Sequence, residues 1–233
     1  TEAAYDDAIR HAITKLSYLH FTSTEEYRNR VIQLGEQPDR VFSVGAIGVE
    51  NICRERLMSK SELERAINYR LDTPYAVVTF HPVTLEENTS EEQINALLEA
   101  CTTHKDMKFL FTKANADTGG RVINQMIDGY VKKRDNAIAF SSLGTTRYLS
   151  ALKHCTMVIG NSSSGLVEAP SFGIPTVNIG DRQKGRLQAD SVINCEPVQA
   201  DIERAIQQAL SKEFRNRARQ TVNPYGDGNT SDK

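Results

Sequence analysis

A serine-rich loop at residues 160–165 is the segment whose residue types best suit chemistry. It reads Gly-Asn-Ser-Ser-Ser-Gly, follows a predicted strand and opens a predicted helix. Small residues let a ligand approach the backbone, and serine hydroxyls and the first N–H groups of a helix favour an anion such as phosphate. Glu168 lies one helical turn further on, at the reach of a ribose diol beyond the phosphates. The loop predicts a diphosphate site, and the alternative is a serine-rich helix cap without a ligand.

Cationic side chains follow a later predicted strand, at residues 180–186. Arg182, Lys184 and Arg186 fall within five residues, and the planar fork of arginine suits phosphate recognition. We expect this segment to lie beside the serine loop, because parallel strands end at the same edge of a sheet. The alternative is a charged turn in solvent.

Histidines and one acidic residue supply candidate proton-transfer groups. His81 follows a predicted strand and precedes a proline, so its imidazole can act as an acid, a base or a phosphate partner near neutral pH. Asp7, Arg10, His11 and His20 form a second set, near the start of the chain. The alternative for this set is pairing on a helix surface.

Charge and cysteine content exclude several classes of protein. Among 233 residues, 28 basic and 30 acidic side chains give a net charge of −2, which does not suit a nucleic-acid groove or a polybasic membrane patch. The apolar runs are too short to span a bilayer. The cysteines lack C-x-x-C spacing, which is typical of reduced thiols in the cytoplasm: Cys53, Cys101, Cys155 and Cys195. No metal-ligand spacing occurs, so we predict neither a metal nor another cofactor.

Helix and strand patterns alternate along nearly the whole chain. The predicted strands are 18–22, 40–44, 75–80, 107–111, 137–140, 157–159, 176–179 and 191–195. The predicted helices are 6–17, 23–35, much of 49–73, 91–103, 121–133, 145–153, 165–172 and 201–210. Short strands that are apolar on both faces, each followed by a helix, predict an α/β fold with Rossmann-like parallel sheets.

This pattern divides the chain into three parts. Residues 1–55 read as the end of one Rossmann-like domain, 56–215 as a complete second one that binds nucleotide, and 216–233 as a tail that crosses back towards the first. Ligands of such sheets sit at the carboxyl ends of the strands, where the serine loop, the basic segment and His81 all lie.

Four motifs resemble the hydrolysing UDP-N-acetylglucosamine 2-epimerases of the sialic-acid-pathway type. They are DDAIRHAITKL (6–16), GNSS (160–163) with Glu168, FGIPTVNIG (172–180) and YGDGN (225–229). The resemblance extends over the whole chain and implies a two-domain architecture of the glycosyltransferase-B type with a truncated N-terminal domain. It also implies a nucleotide sugar in the cleft and elimination of UDP from UDP-GlcNAc, followed by addition of water to the glycal to give N-acetylmannosamine.

The same resemblance implies roles for particular residues. Asp7 matches a catalytic carboxylate implicated in proton transfer, and His20 and His81 match active-site histidines. The implied nucleotide-sugar contacts are Gly45, Asn115, Leu143, Ser162, Ser163, Glu168 and Arg182. Tyr18 stands where some members have another histidine. Since family members carry further acid/base carboxylates upstream of the first motif, we expect this chain by itself to be inactive.

Alternatives to this function stay open. Relatives act on GDP-linked or 2,4-diacetamido sugars, and a non-catalytic nucleotide-sugar binding module would keep the same contacts. The resemblance also implies a cytoplasmic protein that forms dimers or tetramers at full length, without nucleic-acid or membrane partners.

Overall fold

The computed structural model describes residues 5–83, 89–115 and 119–233, and parallel strands alternate with helices through them. The strands are β1 (His20–Thr22), β2 (Val41–Ser43), β3 (Tyr75–Thr79), β4 (Lys108–Thr112), β5 (Ala137–Phe140), β6 (Met157–Gly160), β7 (Thr176–Ile179) and β8 (Val192–Cys195). The α-helices are α1 (Tyr5–Leu16), α2 (Glu25–Gln33), α3 (Ile47–Arg54), α4 (Lys60–Ile67), α5 (Ser90–Thr103), α6 (Gly120–Val131), α7 (Gly144–His154), α8 (Ser164–Val167), α9 (Gln199–Leu210) and α10 (Lys212–Arg219).

The larger sheet is parallel, with the strand order β5-β4-β3-β6-β7-β8. The chain winds outward from β3 through β4 and β5, returns to place β6 beside β3, and then continues through β7 to β8. The direction of winding therefore reverses between β3 and β6. In doubly wound sheets, the crevice beyond this point is where ligands bind.

Both faces of this sheet are covered by helices, as parallel sheets require. On β3, Ala76 and Val78 pack into a core with helices α5, α6 and α9, while Tyr75 and Val77 pack into a second core with α4 and α7. This alternation follows from the two-residue period of a strand. All residues of β3, β6 and β7 are buried, which explains why β3 and β6 are almost wholly apolar, while β7 also buries Thr176 and Asn178.

The smaller sheet pairs β1 with β2 in parallel register and packs against α2. Several of its apolar side chains, and those of α1, face solvent: Ile9, Ile13, Leu16, Phe21 and Phe42. The rings of Phe21 and Phe42 stack on each other, with centroids 5.6 Å apart. Ile9, Ile13 and Leu16 thus form an apolar stripe along α1 that no described residue buries.

The C-terminal segment packs on α3 and the residues just before it. Ala46 N donates to Tyr225 O at 2.8 Å, and Ser231 Oγ donates to the buried carboxylate of Glu50 at 2.7 Å. The hydroxyl of Tyr225 donates to Leu187 O at 3.0 Å. The first two bonds tie residues 225–231 to the β2–α3 region, and the third ties Tyr225 to the segment between β7 and β8. The division of the chain at residues 55 and 215 stays a prediction.

Three helical segments differ from the sequence prediction. The pattern over 49–73 forms two helices, α3 and α4, and the pattern over 165–172 forms the one-turn helix α8 and a 3₁₀ turn at Ala169–Phe172. The second division falls at Pro170, whose ring does not fit a helix interior. Helix α10 was not predicted, because its sequence is mostly polar, with only Phe214 and Ala218 buried. Within the described parts of the chain, every helix is too short or too polar to cross a bilayer.

Candidate functional site

A cavity of about 490 Å³ lies at the carboxyl ends of β3 and β6, where the winding of the sheet reverses. Four of the predicted site residues line it together: His81, Leu143, Ser162 and Glu168. The other lining residues are Gly48, Asn51, Thr79, Thr112, Lys113, Ser141, Ser142, Gly144, Thr145, Tyr148, Leu149 and Ser164. Residues far apart in sequence thus meet at the crevice where the fold places ligands.

The serine loop leaves β6 through a glycine that no other residue can replace. Gly160 has φ +131°, and a Cβ built on it would lie 1.9 Å from the carbonyl oxygen of Thr79. Only glycine allows the two strand ends to approach this closely. The N–H groups of Gly165 and Leu166 already donate to the carbonyls of Ser162 and Ser163. An anion at this loop would therefore depend on serine hydroxyls and a cation more than on the one-turn helix α8.

The basic segment lies against this loop. Arg182 Nη1 donates to Asn161 O at 3.0 Å, and Gln183 Nε2 donates to the same oxygen at 2.8 Å. The basic segment and the serine loop are therefore adjacent, as expected, and Arg182 is bonded to the residue before Ser162. Lys184 points elsewhere: it lies 3.6 Å from Asp181 and lines a separate cavity near the ends of β7 and β8.

Glu168 presents a carboxylate to the cavity opposite α3. Its Oε2 atom is buried and has no hydrogen-bond partner among the described residues. Burial raises the pKa of Glu168, while a hydrogen bond from Ser164 acts in the opposite direction. A Cβ built on Gly48 would lie 2.6 Å from Glu168 Oε1, so the two elements are in close contact. This carboxylate is placed to accept hydrogen bonds from ligand hydroxyls.

Hydroxyl groups that the sequence analysis missed form one wall of the cavity. Tyr148 OH donates to Ser164 Oγ at 2.8 Å, and the hydroxyls of Thr79 and Thr112 are hydrogen-bonded to each other. Burial raises the pKa of Tyr148 to about 12, so the phenol stays protonated at neutral pH. The threonines are the last residues of β3 and β4. Their position at the carboxyl ends of predicted strands was a signal that could have identified them.

Leu143 is buried at the start of α7 and gives the cavity an apolar patch. Ser141 and Ser142 line the cavity just before it. An apolar side chain flanked by polar ones can hold a planar ring and hydrogen-bond its edge.

The predicted residues of the N-terminal segment lie outside the described lining of this cavity. His20 is buried at the start of β1, with Nε2 3.2 Å from Glu36 Oε2, and Lys15 Nζ lies 2.6 Å from the other oxygen. The hydrogen bond from Lys15 lowers the pKa of Glu36, which keeps the carboxylate ionised beside the imidazole. Asp7 lies on α1, 3.9 Å from His11 Nε2. Among the described residues, neither His20 nor Asp7 lines the cavity with His81.

Gly45, Asn115, Ser163 and Arg182 are also absent from the described lining. Gly45 has φ +95° and packs on the C-terminal segment, since a Cβ there would lie 3.3 Å from Tyr225 O. Asn115 is exposed and adjoins residues 116–118, which are outside the described part of the chain. Ser163 is the residue before α8, directly beside Ser162.

Comparison with known proteins places these features in a family. The family model described as UDP-N-acetylglucosamine 2-epimerase matches residues 1–233. A GDP/UDP-N,N'-diacetylbacillosamine 2-epimerase (hydrolyzing) from Campylobacter jejuni is 42% identical over 92% of this chain and 56% of its own length. The polysialic acid biosynthesis protein P7 of Escherichia coli is 43% identical over 97% of this chain and 57% of its own length. The chain thus spans a little over half the length of these relatives.

A solved structure supports the fold independently. The UDP-GlcNAc 2-epimerase of Neisseria meningitidis, bound to UDP-GlcNAc, superposes with a TM-score of 0.69 at 18% identity, over 99% of this chain and 63% of that one. At this identity the likeness is one of fold. It confirms the predicted fold class, an α/β fold of the glycosyltransferase-B type with Rossmann-like parallel sheets.

Proposed function

The chain belongs to the UDP-N-acetylglucosamine 2-epimerase family, and from that membership we propose that its protein is a hydrolysing 2-epimerase of a nucleoside-diphosphate sugar. The sugar product would supply the biosynthesis of sialic-acid-like or other surface glycans. The observation that carries the proposal is the joint lining of one cavity by His81, Ser162, Leu143 and Glu168.

The reaction assigned to this site has two balanced steps. In the first, the sugar loses its C2 proton and the C1–O bond breaks, which releases UDP and leaves a glycal with a C1–C2 double bond. In the second, water adds its hydroxyl to C1 and a proton to C2 on the opposite face, which gives the N-acetylmannosamine configuration. The site must therefore stabilise a departing diphosphate and move a proton.

The described residues suit these two tasks. Arg182 binds the backbone oxygen of Asn161, the residue before Ser162 and Ser163, so its guanidinium and the two hydroxyls could balance the charge of a diphosphate. Glu168 would accept hydrogen bonds from the hydroxyls of the ribose, and Leu143 would contact the base. His81 lies on the same cavity and would handle a proton near neutral pH. Asp7 and His20 remain proposed proton-transfer groups, and Gly45 and Asn115 remain proposed contacts.

The nucleotide and the sugar define the alternative. The Campylobacter jejuni relative is named for GDP- or UDP-linked diacetylbacillosamine, so a guanosine nucleotide or a 2,4-diacetamido sugar is the second candidate. A non-catalytic binding module is the third. Release of free UDP and sugar, assayed in a form of the protein as long as its relatives, separates an epimerase from a binding module.

Thermal unfolding of this chain with UDP, with GDP and without nucleotide tests the binding site directly. Ligand at about 100 times its Kd adds about 2.7 kcal/mol to the folded state. For a chain of this size we expect UDP to raise Tm by about 5–10 °C. A larger rise with GDP would move the substrate to the guanosine-linked class.

A matched pair of arginine variants connects the shift with the site. Arg182→Ala should remove most of the rise, because it takes away the cation beside the serines. Arg204→Ala, at an exposed arginine paired with Asp201 on α9, should leave it unchanged. Equal shifts in both variants, or no shift in the unaltered chain, would count against the assigned site.

A further inference from the structure

Asn161 lies at the centre of the site without contacting the cavity. It follows the last residue of β6 and is completely buried. Burying an amide is costly unless its polar atoms are hydrogen-bonded. Here the backbone N–H of Asn161 donates to Thr79 O at 3.1 Å, and the other polar atoms are bonded as well.

The side chain of Asn161 binds both backbone groups of a single residue, His81. The N–H of His81 donates to Asn161 Oδ1 at 2.7 Å, and Asn161 Nδ2 donates to His81 O at 2.8 Å. This pair of bonds extends the β3–β6 ladder by one side-chain rung beyond the end of the strands. The amide thereby fixes the peptide groups on both sides of the His81 Cα.

The position of the His81 imidazole depends on how these two hydrogen bonds hold its backbone. The next residue, Pro82, restricts the backbone of His81 further, since a residue before proline is confined to extended conformations. With the backbone held, only the χ1 and χ2 rotations of His81 remain to place its ring. A shift of about 1 Å at a catalytic group is enough to lower a rate about 100-fold.

The backbone carbonyl of Asn161 binds the basic segment on the other side of the serine loop. It accepts hydrogen bonds from Arg182 Nη1 at 3.0 Å and from the buried Gln183 at 2.8 Å. One buried residue thus joins the histidine loop after β3, the serine loop after β6 and the basic turn after β7. The first two of these loops are about 80 residues apart in sequence and the last two about 20, yet the hydrogen bonds of Asn161 connect all three.

We propose that Asn161 is a positioning residue, whose side-chain amide sets His81 relative to the serine loop so that proton transfer occurs next to the bound diphosphate. The catalytic part of this role, proton transfer by His81, rests on the proposed function. The geometric part, that Asn161 sets the position of the His81 ring, does not depend on which nucleotide sugar is bound.

Two measurements on Asn161→Ala test the proposal. In this chain, NMR signals of the His81 imidazole, assigned with His81→Gln, should move away from their native shifts, while the Kd for UDP stays within about threefold. In a form of the protein as long as its relatives, kcat should fall about 100-fold with KM changed by no more than about threefold.

Asn178→Ala is the matched control. Asn178 is also a buried asparagine, on the neighbouring strand β7, and its amide donates to Asn194 at 2.8 Å, away from His81. We expect it to leave the His81 signals and kcat unchanged. If Asn161→Ala does not fold, Asn161→Asp serves instead, since it keeps the shape and the acceptor for the His81 N–H.

Unmoved His81 signals in the folded Asn161 variant would overturn the proposal, as would an equal displacement in Asn178→Ala. Failure of the unaltered chain to bind either UDP or GDP would instead refute the proposed function. The NMR comparison would still decide whether Asn161 positions His81, so the two failures are distinguishable.

Discussion

Replacing Gly48 with alanine should separate ligand binding from stability. Gly48 is the second residue of α3, and a Cβ there would lie 2.6 Å from Oε1 of Glu168 and 3.4 Å from its Cδ. The carboxylate is the free end of a flexible side chain, so it can move, by about 0.8 Å, to reach ordinary contact. Fold stability should therefore rise by up to about 1 kcal/mol, because alanine favours a helix over glycine.

Ligand affinity should change in the opposite direction. Hydrogen bonds to a charged group contribute about 1.5–3 kcal/mol, so a displaced Glu168 should raise the Kd for UDP about 10- to 100-fold. Isothermal titration calorimetry measures this Kd, and urea unfolding measures the stability of the same sample. The two changes together distinguish a displaced carboxylate from a damaged fold.

Gly129→Ala provides the control for this variant. Gly129 lies on α6, and nothing approaches within 4 Å of a Cβ placed there. It should raise stability to a similar extent and leave UDP binding unchanged. Equal UDP affinity in Gly48→Ala and Gly129→Ala would refute the argument that Glu168 binds the ligand from its present position.

Two further predictions concern stability. Burial raises the pKa of Glu168, so the folded state holds this proton more tightly than the unfolded chain, and stability falls as pH rises through the folded-state pKa. Glu168→Gln should therefore have a higher urea midpoint than the unaltered chain at about pH 8, with the difference lost below an unfolded pKa of about 4.3; equal midpoints at the higher pH would contradict this. Gly160→Ala should lose about 3 kcal/mol or more in urea unfolding, because its Cβ meets the backbone of Thr79 at 1.9 Å. Gly144→Ala, at φ +67° in open space, should lose only about 1 kcal/mol, and similar losses at both glycines would show that the close approach does not matter.

Much of the fold was predictable because its signals are local. The predicted strands agree with β1–β8 to within two residues at each end, since a buried strand needs only a short apolar run between turn residues. The ends of helices are harder to predict from the local sequence than the existence of strands. The pattern over 49–73 contains no proline, and yet it forms two helices, with residues 55–59 between them.

Part of the candidate site was also predictable. The loops that follow predicted strands contain His81 and Ser162, Glu168 lies one helical turn beyond the second loop, and all three line the cavity. Tyr148 was missed because a hydroxyl within a helix has no distinctive local pattern, and Thr112 was missed although its place at a strand end was a signal. Their importance depends on which elements lie next to them in space.

The sequence by itself determined the alternation of strands and helices and the loops that carry polar side chains, because side-chain period and backbone preference act over a few residues. Only the tertiary structure decided that β6 lies beside β3, which brings Asn161 to the backbone of His81 across 80 positions of sequence. It also decided that Glu168 faces Gly48, while His20 binds Glu36 away from the cavity. Such neighbours follow from the burial of whole faces against each other, which no short stretch of sequence specifies.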